Sequence, residues 1–133
     1  MKSFILLILL VSSIFSAELN WSNEYQKTLN RASKSGKLVY VLITSDNCKW
    51  CRKFESTTLQ DKTIQKRLYN EFEVVHLSRD RNFIPEKFKT APVPRHYFVD
   101  AKGNILYSTL GYRKRDCFDS FMDNAENKLK ITK

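Results

Sequence analysis

Cys48-Lys49-Trp50-Cys51 places two thiols one helical turn apart, where an apolar run gives way to a helical pattern. Residues 37–44 (KLVYVLIT) read as a buried strand, 45–47 as a turn and Lys49 onward as a helix, so Cys48 falls at the helix N-terminus. Unpaired backbone N–H groups there stabilise an anion, and the thiolate is the reactive form of cysteine. Lowering a thiol pKa from about 8.5 to about 7 raises its thiolate share at neutral pH from roughly 3% to roughly half. Lys49, Arg52 and Lys53 add positive charge that pushes the same way. The chemistry indicated is thiol–disulfide exchange: Cys48 attacks, and the more buried Cys51 resolves the mixed disulfide.

Other chemistries use the same spacing. Zinc takes C-x-x-C as half of a four-ligand site, and the remaining candidates, Cys117, His76 and His96, form no recognisable second half. Copper(I) needs only two soft sulfurs, so a Cu(I)-binding module without turnover stands as the alternative to an enzyme. A purely structural disulfide would close a two-residue loop, too short to stabilise a fold much. His96 has two readings: it tunes proton transfer or completes a metal site, or it is a strand histidine satisfied in the core or exposed. Trp50 either offers substrates an apolar contact beside Cys48 or covers the helix start, and its outward position favours the contact.

Several elements must position these residues. Residues 22–35 carry Tyr25, Leu29 and Ala32 at helical spacing and stop at Gly36. A strand over 38–44 precedes the dithiol helix, which runs towards Thr58, and Asp61 caps a further helix through Asn70. Residues 72–77 read as a second strand, and 82–89 as a loop with a short helical turn. Residues 93–100 and 105–110 form a hairpin around a turn at 101–104, and 113–130 is the closing helix. The early β-α-β unit implies parallel pairing and a mixed sheet covered by helices on both faces.

Composition bounds the setting. Met1, Lys2 and Ser3, then an apolar core over 4–11 and small residues to Ala17, have the three-part form of a secretory signal, cleaved after Ser16 or Ala17. That core is well short of the ~20 residues that span a bilayer. Removing it leaves residues 18–133, the size of a single domain with one core. Net charge is +9 over the whole chain, which predicts acidic partners or anionic surfaces. The basic residues are spread rather than gathered in one motif, which argues against nucleic-acid binding. Cys117 lies in an apolar stripe with Phe118, Phe121, Met122, Ala125 and Leu129, and is expected to be a buried core cysteine.

A strand that delivers C-x-x-C to a helix start, Val93-Pro94 entering a later strand and Gly103 in the next turn together resemble the thioredoxin superfamily, over residues 21–130. The 43 positions from Cys51 to Pro94 suit it, and the aromatic Trp50 before the second cysteine is similar to exported thioredoxin-like proteins. The resemblance implies a thioredoxin fold of class α/β, a mixed central sheet of four to five strands with helices on both faces. It also implies a cis Pro94 against the dithiol, with the backbone of Val93 free to pair with an extended substrate. The implied activity is that of a periplasmic or secreted thiol–disulfide oxidoreductase, reducing rather than oxidising. It would act as a monomer without cofactor on cysteines of exported proteins, with a membrane or soluble thiol partner for its electrons.

Three positions depart from thioredoxin. Asn47 replaces the tryptophan before the first cysteine, Lys49-Trp50 replaces Gly-Pro, and Leu42 stands where thioredoxin buries a carboxylate that accepts the resolving thiol's proton. Glu55, on the dithiol helix, is the carboxylate able to reach the site in its stead.

Overall fold

The computed structural model describes residues 18–89 and 92–132; the signal segment expected over 1–17 lies outside the described residues. Strand β1 (Leu38–Thr44) is buried along its whole length, which its unbroken apolar run requires. It pairs in parallel with β2 (Phe72–Ser78) and antiparallel with β3 (Arg95–Val99), which forms the predicted hairpin with β4 (Ile105–Leu110). The sheet order is β2-β1-β3-β4. An isolated parallel bridge from Ser22 to Val75 extends the β2 edge, so Ser22 lies outside the first helix, α1 (Tyr25–Ser35).

Alternation along β1 sorts the core into two layers. Tyr40 and Leu42 face a cluster containing Phe54 of α2 (Lys49–Ser56), Ile64 and Leu68 of α3 (Lys62–Glu71), and Phe118 and Met122 of α4 (Arg115–Ile131). Val39, Val41 and Ile43 face the other way, onto Ala32 of α1 and onto Ile84 and Phe88 in the long loop after β2. Helices therefore cover both faces of a mixed four-stranded sheet, the α/β thioredoxin fold.

The dithiol helix is shorter than its sequence pattern indicates. α2 ends at Ser56, and a 3-10 turn over Thr58–Gln60 follows, held where the Thr58 hydroxyl donates to the Arg113 carbonyl at 2.6 Å. A second difference concerns Cys117, which is exposed and unbonded rather than buried. The inward face of α4 belongs to Phe118, Met122 and Ala125, and a residue one position before Phe118 is turned roughly 100° away from it.

Candidate functional site

Cys48 is the N-cap of α2, with extended backbone angles (φ −138°, ψ 98°), because the chain leaves β1 through the turn at 45–47 and enters the helix there. Its Sγ accepts a hydrogen bond from the backbone N–H of Cys51 at 3.1 Å. The two residues are joined as a disulfide, Cα to Cα 5.2 Å. Cys48 is half-buried while Cys51 is fully enclosed, so an incoming group meets Cys48 first. When the pair is reduced, the same N–H and the helix N-terminus face a Cys48 thiolate.

Arg52 serves the turn more than the thiol. Its guanidinium donates to the carbonyls of Ser45 (2.7 Å) and Asp46 (3.2 Å) and pairs with Glu55 at 2.9 Å. Asp46 in turn accepts from the Ser78 hydroxyl at 3.0 Å and pairs with Arg81 at 2.9 Å, pinning the approach to Cys48 onto the end of β2. Glu55 faces Arg52 and His76, whose Nε2 is 3.4 Å from its carboxylate and 2.7 Å from the Thr44 hydroxyl. Burial pushes the His76 pKa down, against the pull of Glu55. Leu42, where thioredoxin has its carboxylate, is buried between His76 and His96, its register partners on β2 and β3.

The Val93–Pro94 peptide bond is cis, as the resemblance implies, and Pro94 is buried. A hydrogen-bonded chain holds this loop from inside the core. The Gly111 N–H donates to the Pro94 carbonyl (2.8 Å), the Gly111 carbonyl accepts from His96 Nε2 (2.9 Å), and His96 Nδ1 meets the Tyr40 hydroxyl (2.7 Å). A carbonyl only accepts, so Nε2 carries the ring proton and Nδ1 accepts from Tyr40. His96 is fully buried, its ring centroid 4.7 Å from that of Phe54. Burial pushes its pKa down to about 4, with Arg113 and Arg95 adding to the effect and the bond to Gly111 opposing it. Of the two readings of this histidine, the structure realises the core-satisfied one, with both nitrogens engaged. Gly111 has φ +93°, a conformation that glycine adopts without strain.

A groove of about 380 Å³ lies beside the dithiol. It is lined by Val93 and Pro94 of the cis-proline loop, by Leu110, Gly111 and Tyr112 at and after the end of β4, and by Trp50 of the dithiol helix. Trp50 is 49% exposed, and its ring stacks on that of Tyr112 at 6.0 Å with an interplanar angle of 28°. The structure thus brings Cys48, Cys51, Trp50, Val93 and Pro94 to one end of the sheet. Sequence reasoning missed Gly111, Tyr112 and Tyr40; a glycine directly after a strand and next to an aromatic residue was the available signal for the first two.

A thioredoxin fold that presents a half-buried cysteine at a helix N-cap, bonded to a buried cysteine one turn on and flanked by a cis-proline loop, defines a thiol–disulfide oxidoreductase. The chain belongs to the thioredoxin-like domain family, whose model matches residues 25–126. It is similar to mouse (Mus musculus) Anterior gradient protein 3, with 28% identity over 125 residues, covering 86% of this chain and 73% of that protein. Among solved structures it resembles the DsbH oxidoreductase, at TM-score 0.66 and 20% identity with 93% of each chain covered. A thioredoxin from Thermus thermophilus matches at TM-score 0.65 and 24% identity, over 82% of this chain and 85% of that one. The C-terminal domain of DsbD from Neisseria meningitidis, in its oxidised form, matches at 0.63 and 18%, over 75% and 91%.

Proposed function

We propose that this protein is exported to the periplasm or secreted, and there reduces disulfides of other exported proteins. The observation that carries the exchange chemistry is the Cys51 N–H directed at Cys48 Sγ at the helix N-cap, with Cys51 buried behind. The Cys48 thiolate attacks one sulfur of a substrate disulfide, and the other substrate sulfur leaves as a thiolate that takes a proton. Cys51, deprotonated, then attacks Cys48 Sγ, and the second substrate thiol departs. Two electrons pass from the protein dithiol to the substrate, and an external thiol partner returns them. Val93 pairs its backbone with the substrate strand, Pro94 sets that loop against the dithiol, and Trp50 gives an apolar contact. The reducing direction is favoured by similarity to thioredoxin across most of the chain.

The test equilibrates the metal-free domain in glutathione buffers. A potential near about −270 mV is expected for a reductant, whereas one near about −120 mV would make the protein a disulfide donor. In the same assay Cys48→Ser abolishes exchange and Cys51→Ser accumulates mixed disulfides. A pair that never cycles but binds copper(I) stoichiometrically would replace the enzyme reading with the metal-binding one.

A further inference from the structure

Positive charge without a matching carboxylate stands beside the groove, next to two of the rings that line it. Lys53 Nζ lies 5.2 Å from the Trp50 ring centroid and 4.9 Å from that of Tyr112, and Lys49 Nζ lies 5.5 Å from Trp50. Among the described residues, no acid pairs with either lysine. Arg52 on the same helix is answered by Glu55, and Arg115 by Asp61 and Asp116, whereas Arg113, next to Tyr112, donates to the Leu110 carbonyl and pairs with no acid among the described residues. Two ammonium groups are thus held near the exposed Trp50 ring and one of them near the half-buried Tyr112 ring, and Leu110 and Val93 line the same groove.

We propose that this groove selects polypeptides in which the reacting cysteine is flanked by an acidic residue and an apolar or aromatic one. The inference rests on the oxidoreductase reading and adds to it a substrate class. The apolar side chain lies on Trp50 and Tyr112, and the carboxylate meets Lys49 and Lys53 at the rim. Opposite charges at such a rim act mainly on encounter, so the selection is greatest at low ionic strength and fades once the screening length falls below about 10 Å. Cation–ring contact leaves the ammonium N–H groups facing solvent available to a carboxylate. A basic flanking residue would be repelled by the same pair.

The experiment uses three disulfide-linked peptide dimers that differ only beside the cysteine: Phe-Asp-Cys, Phe-Asn-Cys and Phe-Lys-Cys. Dithiothreitol supplies electrons, and rates are corrected for its direct reaction. The acidic peptide is expected to exceed the basic one in kcat/KM by about fivefold at low salt, the scale of one or two exposed charge pairs, and the ratio should shrink towards unity near about 0.5 M salt. Lys53→Glu should invert the order, while Lys34→Glu, on α1 across the sheet, changes net charge equally and should preserve it. Comparing ratios between variants cancels the peptides' intrinsic reactivities. Equal turnover of all three peptides, or a preference untouched by Lys53→Glu, overturns the acidic selection and leaves the oxidoreductase standing. No turnover with any peptide removes both.

Discussion

At the scale of single residues, a neutral imidazole enclosed under the dithiol helix makes stability depend on acidity. His96 has a folded pKa of about 4, against about 6.5 in an unfolded chain. Between those values the unfolded chain binds the proton and the folded one does not. The stability associated with this group is therefore complete above about pH 6.5 and declines as pH falls towards 4, by on the order of 3 kcal/mol. His76, also held down by burial, acts in the same sense. His96→Gln keeps a donor and an acceptor but does not titrate. Its unfolding free energy should fall less steeply than that of the wild type between pH 6.5 and pH 4, the remainder being that of His76 and the carboxylates, and parallel curves in denaturant titrations would contradict the assignment. His96 fixes the Gly111 carbonyl and Gly111 holds Pro94, so the donor that glutamine retains is also what keeps this side of the groove in place.

At the scale of elements, what matters is how three helices are seated over one sheet face. Asp61 is the N-cap of α3; its carboxylate accepts from the N–H groups of Thr63 (2.9 Å) and Ile64 (3.1 Å). Asp61→Ala should cost about 1 kcal/mol in equilibrium unfolding and Asp61→Asn only a few tenths; equal losses would show that charge rather than capping matters, since Arg115 also approaches this carboxylate at 3.6 Å. Asp61, the glycine stop after α1 and the hairpin turn were legible because each is a local rule that neighbouring residues satisfy among themselves. The end of α2 at Ser56 was not, since Thr58 is drawn to Arg113, a residue 55 positions away.

At the scale of the whole molecule, residues 1–17 and the excess of basic residues bear on where the protein acts and what it meets. Expressed from Met1 in a Gram-negative host, the chain is expected in the periplasm with the mass of a product cut after Ser16 or Ala17; a cytoplasmic product of full mass would remove the export reading. The sequence by itself determined the dithiol and the parallel β-α-β unit that delivers it, because each is written in short-range periodicity and spacing, while the role of Pro94 came only with the resemblance to a known family. Tertiary structure alone decided which polar groups meet across the sheet. It turned Glu55 towards His76, gave His96 to Tyr40 and Gly111, and exposed Cys117 by choosing Phe118 for the core. Such pairings join residues tens of positions apart, and they form where burial leaves a polar atom one available partner, which no local pattern records.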